Sequence, residues 1–163
     1  MIKYRRLQKE ELETLEEDFI KFLSANSIPA SDWEKLKNES PDRVDDLLDV
    51  FSNTVLEKVY SKASHLIIVN PNKVLAFYMG ADSASLIGVE FNDNTLDLLK
   101  NNKLDSVFSS EVEFSSHDPK LFTLEKKYSK PKAEEVYFLV NQGAELVDKK
   151  WFEFLKKLKT TIK

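Results

Sequence analysis

The chain has no cysteine among its 163 residues, and this absence limits the chemistry that it can support. Disulfide bonds, thiolate nucleophiles and zinc or iron–sulfur sites built on cysteine are excluded. A transition-metal site would have to combine the two histidines with carboxylates, yet no Glu-x-x-His or His-Glu-x-x-His spacing occurs. We therefore expect no metal and no cofactor, and the sequence assigns no catalytic, cofactor-binding or metal-binding residue.

Glycine and proline are scarce, with three and five residues respectively. Because Gly80, Gly88 and Gly143 are isolated, neither GxGxxG nor GxxxxGK[ST] is present, which argues against the common nucleotide-binding folds. So few of these residues also leave no place for a long flexible linker. At this length we expect a single domain spanning residues 1–163.

Long apolar runs are missing as well. No stretch approaches the ~20 apolar residues that cross a bilayer, and the first ten residues lack the apolar run of a signal peptide. We therefore expect a cytoplasmic protein without a transmembrane segment. The apolar content of 42% and the 11 phenylalanines nevertheless argue against disorder and predict a proper core.

Apolar residues in the first sixty positions recur at helical spacing and predict three helices. The first covers residues 9–25, and a capping box of Ser31 and Glu34 opens a short second helix. The third, over residues 41–61, has Ser40 as its N-cap and is the strongest core helix. Its predicted buried stripe is Val44, Leu47, Leu48, Phe51, Val55 and Val59.

After Ser61 the hydrophobic period changes from 3.6 to 2, which indicates strands. Short loops between the first three strands favour an antiparallel meander. Residues 95–101 are predicted to form a helical turn before the fourth strand. The predicted strands are 65–69, 74–79, 86–91, 108–114 and 121–124.

The C-terminal part contains one ambiguous segment. Residues 136–140 have strand propensity, but Pro131 upstream and Gly143 downstream are typical of the start and the end of a helix. We therefore predict a helix over 132–142 and keep a strand as the alternative. Asp148 is predicted to cap a final helix, whose apolar stripe is Trp151, Phe152, Leu155, Leu158 and Ile162. The predicted fold class is thus α+β, with three N-terminal helices, an antiparallel sheet of three to five strands and two C-terminal helices.

Charge is unevenly distributed along the chain. Residues 1–9 carry +4, residues 10–49 carry −9 and residues 120–163 carry +5. Intramolecular pairing and a site for a charged partner both account for this pattern. The final helix is basic and suits either packing on the core, which we favour, or an anionic membrane, nucleic acid or protein. Its lysines are Lys149, Lys150, Lys156, Lys157 and Lys159, and Arg5 and Arg6 could extend the same basic surface.

Three sets of polar residues are candidate sites. The segment Ser115-Ser116-His117-Asp118-Pro119 has triad-like residue types, but adjacent residues do not form a triad and the composition is typical of a loop. His65 opens a strand beside apolar neighbours and is interpreted as structural. Two acidic groups could bind a hard cation if they met, although solvated helix faces are the favoured interpretation. These acids are Glu13, Glu16 and Glu17, and Asp42, Asp45, Asp46 and Asp49.

Several segments carry a family resemblance. They are residues 3–7 (KYRRL), 9–12 (KEEL), 16–23 (EEDFIKFL), 32–36 (DWEKL), the predicted helix over 41–61 and 141–144 (NQGA). Together they resemble a family of small uncharacterised bacterial proteins, of the Bacteroidota type, known as a domain of unknown function. The segment 92–128 shows no such resemblance. The resemblance implies a bacterial cytoplasmic protein and offers no catalytic residue.

Two functional hypotheses follow. The first is a non-catalytic protein–protein interaction or structural protein, homo-oligomerisation included, that uses charged helical surfaces and exposed aromatic residues. The alternative is a small-molecule binder or carboxylate-based enzyme with a cleft between the sheet and the helices, which requires a buried carboxylate with a raised pKa. Enzymatic activity is left open and not favoured, and nucleic acid is not the expected partner.

Overall fold

The computed structural model describes residues 1–161. Contacts divide the chain into two compact units, Met1–Val59 and Tyr60–Lys163, which we call the N-terminal unit and the C-terminal unit. A single domain over the whole chain therefore stays a prediction. No helix among the described residues is long and apolar enough to cross a membrane.

The helices of the first part are α1 (Lys9–Thr14), α2 (Glu16–Ala25), α3 (Ala30–Glu39) and α4 (Pro41–Lys62), and the boundary between the units falls within α4. The prediction of one continuous helix over 9–25 is wrong, because the segment forms two helices, α1 and α2. The backbone N–H of Leu15 lies 3.1 Å from the carbonyl oxygen of Glu11 and 3.2 Å from that of Leu12, so the turn tightens there and α1 ends.

The start of α3 also differs from the prediction. The helix begins at Ala30, directly after Pro29, and has no side-chain cap. The predicted capping box of Ser31 and Glu34 is therefore wrong, because Ser31 already lies inside the helix. The carboxylate of Glu34 instead lies 2.8 Å from the ammonium nitrogen of Lys37, one turn further on.

Aromatic rings form the core of the N-terminal unit. The ring centroid of Phe19 lies 5.1 Å from that of Trp33 and 4.9 Å from that of Phe51, and Phe22 lies 5.3 Å from Phe51. These edge-to-face and tilted geometries are the favourable ones for aromatic pairs. The cluster joins α2, α3 and α4, as the apolar spacing of the first and third predicted helices implied.

The helix α4 begins at Pro41, as predicted, but its buried stripe departs from the predicted one. Phe51, Leu56 and Tyr60 are buried, whereas Val59 is 41% exposed. The predicted stripe continues from Phe51 to Val55 and Val59 in steps of four residues. Each such step rotates about 40° beyond a full helical turn, so Val59 has rotated away from the buried face. Ser52, absent from the predicted stripe, is fully buried.

The C-terminal unit contains a five-stranded antiparallel sheet in the order β4-β3-β2-β1-β5. The α+β class is confirmed. The strands are β1 (His65–Asn70), β2 (Lys73–Met79), β3 (Ser83–Phe91), β4 (Pro119–Lys127) and β5 (Glu145–Leu146). The remaining helices are α5 (Lys103–Val107), α6 (Glu111–Ser115), α7 (Lys132–Asn141) and α8 (Lys150–Thr161).

The predicted strand over 108–114 is wrong, because residues 108–110 form the turn that follows α5 and residues 111–114 belong to α6. Val112, which the alternation placed with the buried residues, is 80% exposed. The hydroxyl of Ser110 accepts a hydrogen bond from the backbone N–H of Glu113 at 3.1 Å and caps α6. The segment 95–101 forms turns instead of a helix, stabilised by the carboxylates of Asp93 and Asp97.

The C-terminal helices agree with the prediction. The helix predicted over 132–142 is α7, so the strand alternative is excluded. The carboxylate of Asp148 accepts a hydrogen bond from the backbone N–H of Lys150 at 2.8 Å, where α8 begins. Phe152, Leu155 and Leu158 are buried, which confirms that α8 packs on the core, while the predicted stripe residue Ile162 lies outside the described residues.

Strand register assigns side chains to two faces of the sheet. The α8 face carries Ile87, Val89 and Phe91, which belong to the core cluster that also contains Leu155 and Leu158. The opposite face, here the α7 face, carries the alternate positions. Gly88 lies on that face directly opposite Phe122, whose ring would be 2.2 Å from a Cβ added to the glycine. The ring thus occupies the space that any larger residue would need.

Candidate functional site: a cleft between the sheet and α8

A cleft of about 670 Å³ lies between α8 and the strands β2, β3 and β4 of the C-terminal unit. This volume falls in the range of roughly 300–1,000 Å³ that is typical of small-molecule sites. Strand register explains why these side chains meet. Tyr78 lies opposite Ser85, Ser85 opposite Glu125, and Ile87 opposite Thr123, so all five point to the α8 face.

One end of the cleft is apolar. The ring of Tyr78 lies 6.0 Å from that of Phe152, and the ring of His65 lies 5.3 Å from Tyr78 and 5.7 Å from Phe152. Phe152 is buried and Tyr78 is 42% exposed, so the cluster presents an aromatic surface to the cleft. Ile87 extends this apolar wall along β3.

The other end carries two lysines. Lys156 and Lys159 are spaced three residues apart, which places both on one face of α8. The ammonium group of Lys159 donates a hydrogen bond to the hydroxyl of Thr123 at 2.8 Å. Within residues 1–161, neither lysine forms an ion pair with a carboxylate. Because Glu125 is the acidic side chain of the lining, the charged lining residues sum to +1.

The amino-acid sequence of α8 accounts for this arrangement. Phe152, Leu155 and Leu158 share the face that packs on the sheet, and the lysines at 156 and 159 each follow an apolar residue by one position. A step of one residue rotates by about 100°, so both ammonium groups reach the rim of the packed face. The small Ser85 and Thr123 leave the space that the cleft occupies.

Comparison with known proteins identifies the family of the chain. Residues 1–160 match the model of a family of unknown function, DUF6495. The chain belongs to this family. The match includes the segment 92–128, where the sequence alone suggested no resemblance. No curated protein and no solved structure is significantly similar to the chain. Membership in DUF6495 supplies no activity, so function has to be argued from the site.

A second, smaller groove of about 230 Å³ lies on the α7 face, between α7 and the strands β3 and β4. Its apolar lining includes Leu86, Leu124, Phe138 and Leu139. Leu124 is 62% and Phe138 is 54% exposed. Glu135 also lines this groove.

Glu135 is a buried carboxylate that fixes the turn between β4 and α7. One of its oxygens accepts hydrogen bonds from the backbone N–H groups of Ser129 at 2.9 Å and Lys130 at 3.2 Å, and the other lies 3.3 Å from the ammonium of Lys126. Burial is the largest influence on its pKa and raises it, but these three donors together outweigh burial and lower the pKa. The carboxylate-enzyme hypothesis requires a raised pKa, so Glu135 does not fit it.

His117 is the member of the 115–119 segment that forms a specific contact. Its Nδ1 lies 2.7 Å from a carboxylate oxygen of Asp93, and the other oxygen of Asp93 accepts hydrogen bonds from the backbone N–H and the hydroxyl of Thr95. The hydrogen bond to His117 is the first cause that lowers the pKa of Asp93 to about 2. Ser116 donates to the carbonyl oxygen of Glu113, so it is not aligned with the imidazole.

Asp93 was missed in the sequence, although the Asp-x-Thr pattern at residues 93–95 signals an Asx turn. The 24-residue separation from His117 gave no indication of their contact. The pair joins the loop after β3 to the loop before β4, two strands that are neighbours in the sheet. We interpret it as a structural tie between these loops.

The other predicted candidates have structural surroundings. His65 lies half-buried in the aromatic cluster, and burial lowers its pKa. In the N-terminal unit, the guanidinium of Arg6 lies 2.5 Å from a carboxylate oxygen of Asp49 and 3.2 Å from one of Asp45. Arg5 contacts Glu11 at 2.7 Å. Arg5 and Arg6 thus pair with carboxylates of the N-terminal unit. That they could extend the basic surface of the final helix stays a prediction.

Proposed function

We propose that the chain binds a small amphipathic anion in the cleft between the sheet and α8, without chemical conversion of the ligand. The observation that carries this proposal is the combination of an aromatic wall, formed by Tyr78 and Phe152, with the ammonium groups of Lys156 and Lys159. An apolar body would lie against the wall and a carboxylate or phosphate head would lie between the lysines.

Binding is favoured over catalysis because of the residue types that line the cleft. The lining side chains that titrate are lysines, one tyrosine and the exposed Glu125. A general acid–base mechanism needs a group whose pKa lies near neutrality and a partner that orients it. The imidazole of His117, which has such a partner in Asp93, is not part of the lining.

The experiment is a titration of ¹⁵N-labelled protein with decanoate, followed by amide chemical shifts. Nonyltrimethylammonium serves as the matched ligand, because it has the same nine-carbon alkyl chain and the opposite head charge. We expect decanoate to shift the amides of Ser85, Thr123 and Lys159, and the cationic ligand to bind more weakly. Decyl phosphate distinguishes a carboxylate site from a phosphate site.

Two variants connect this binding to the cleft. Replacing both lysines (Lys156→Gln with Lys159→Gln) should weaken decanoate binding by about fivefold, which corresponds to roughly 1 kcal/mol for exposed charges. Lys157→Gln is the control, since Lys157 lies on the same helix outside the lining. Equal binding of the two head groups, or equal loss in the control, would contradict the proposal.

A further inference from the structure

The strand β4 forms one edge of the sheet, and its outer side is open. It pairs with β3 along all nine of its residues, and within residues 1–161 no other backbone group bonds to it. An edge strand of this kind presents a row of N–H and C=O groups that another extended chain can pair with. The opposite edge is β5, which has only two residues.

The side chains on the α7 face of β4 form a symmetric pattern. Lys120, Phe122, Leu124 and Lys126 alternate along the strand, so an apolar pair lies between two lysines. The lysine at 120 is exposed, and Lys126 is 63% exposed although it contacts Glu135. Leu124, with Phe138 of α7, supplies the exposed apolar surface of the groove on this face.

The segment that forms this edge carries a net positive charge, although Glu90 lies opposite Lys120 in the register. The segment 119–132 contains five lysines and one glutamate, a net charge of +4 in a chain whose total is −4. Lysines on an edge strand also oppose self-association. A second copy of β4 paired antiparallel about Thr123 would bring Lys120 opposite Lys126, which is repulsive. The edge therefore suits a partner of opposite charge better than another copy of this chain.

The edge is held in position by contacts at its end. The hydroxyl of Tyr128 donates a hydrogen bond to the carbonyl oxygen of Gly80 at 2.8 Å, and its backbone N–H donates to that of Asp82 at 3.1 Å. Glu135 fixes the turn that follows. A preformed edge avoids part of the ordering cost of binding.

We infer that β4 binds an extended acidic peptide segment as a sixth strand of the sheet. Backbone hydrogen bonds supply the pairing, and the side chains of the α7 face select the sequence. The complementary segment has two apolar residues, which face Phe122 and Leu124, and an acidic residue on each side, which faces Lys120 or Lys126. The peptide site adjoins the cleft, because Leu124 and Glu125 of β4 line both the cleft and the groove on the α7 face. The two inferences nevertheless rest on different observations, and neither depends on the other.

The test uses the synthetic peptide acetyl-ETVTVTE-amide, whose first, third, fifth and seventh side chains match that pattern. The charge-reversed peptide acetyl-KTVTVTK-amide is the matched control for charge. A version with N-methylated backbone amides on its pairing edge is the control for strand addition. Affinity is measured by calorimetry, and amide hydrogen exchange of residues 119–127 reports new backbone hydrogen bonds.

We expect the acidic peptide to bind at least about tenfold more tightly than the charge-reversed one, since two attractive pairs are replaced by two repulsive ones. We also expect N-methylation to abolish binding and the acidic peptide to slow exchange along β4. Lys120→Glu should weaken binding of the acidic peptide, whereas Lys149→Glu, an exposed lysine away from the edge, should not.

Three results would overturn the inference. They are no binding of the acidic peptide at millimolar concentration, equal binding of the two charged peptides, and undiminished binding of the N-methylated peptide. The peptide titrations contain no decanoate, so failure of the cleft proposal would leave the peptide result unchanged, and the two failures can be distinguished.

Discussion

The two units use charge in different ways. In the N-terminal unit, Arg5 and Arg6 lie against carboxylates, so opposite charges of distant sequence positions hold the first residues on α4 and α1. In the C-terminal unit, Lys156, Lys159 and the lysines of the β4 edge surround a cleft and an open strand. The arginines of the first unit are thus paired with carboxylates, whereas these lysines of the second lie around the two surfaces that we propose as binding sites.

The cores of the two units are also built differently. The N-terminal unit packs rings from three helices together, and a fully buried hydroxyl, that of Ser52, accepts the backbone N–H of Leu7 at 3.0 Å. The C-terminal unit builds its core on one face of a sheet, where strand register decides which side chains meet. Changes in the first unit should therefore affect stability alone, while selected changes in the second should separate stability from binding.

The largest effect is expected for Gly88→Ala in the C-terminal unit. The added Cβ would lie 2.2 Å from the ring of Phe122, so the strand or the ring must move. We expect a loss of about 3 kcal/mol in the free energy of unfolding, measured by denaturant titration. Ser85→Ala on the same strand is the control. The double variant Gly88→Ala with Phe122→Leu should recover part of the loss, and no recovery would contradict the steric explanation.

In the N-terminal unit, the largest effect is expected for Ser52→Ala. The substitution leaves the backbone N–H of Leu7 buried without its acceptor, which costs about 2 kcal/mol. The free energy of unfolding measures this loss. Ser24→Ala, at an exposed position of α2, should be nearly neutral. A loss of equal size in both variants would show that the buried hydrogen bond is not the cause.

These two residues mark the limit of what the sequence could predict. Helix α4 and the meander β1–β3 follow from local periodicity, because their own residues determine the period. Ser52 and Gly88 act through residues 45 and 34 positions away, Leu7 and Phe122, so no local pattern identifies them. The cleft is of the same kind, because Lys159 meets Thr123 only after α8 packs on the sheet.

The wrong strand at 108–114 illustrates a second limit. Alternation of apolar and polar residues is also compatible with a turn followed by a short helix when only the outer apolar residues, Phe108 and Phe114, are buried. Their ring centroids lie 5.3 Å apart, which a straight strand over these seven residues would not allow. The predicted helix over 132–142 succeeded because Pro131 and Gly143 mark its ends.

Glu135→Gln should have an intermediate effect and should change the acid sensitivity of the protein. The folded pKa of Glu135 is lowered, so its contribution is present above the unfolded value near 4.5 and is lost as pH falls below that value through the folded pKa. We expect the variant to lose about 1.5 kcal/mol at pH 7 and to show a smaller further loss between pH 5 and pH 3 than the parent. Equal pH dependence of the two proteins would contradict this role.

The smallest effect on stability is expected for Arg6→Gln, and it tests the comparison between the units directly. Surface ion pairs contribute little to the free energy of unfolding, and salt screens them, so the small loss should shrink between low and 0.5 M salt. Decanoate binding should be unchanged, because Arg6 contacts Asp45 and Asp49 in the N-terminal unit. Lys159→Gln should give the reverse, with unfolding unchanged and binding weakened. Two results would contradict this contrast between the units. They are weaker decanoate binding by Arg6→Gln, and a loss of stability in Lys159→Gln as large as that in Arg6→Gln.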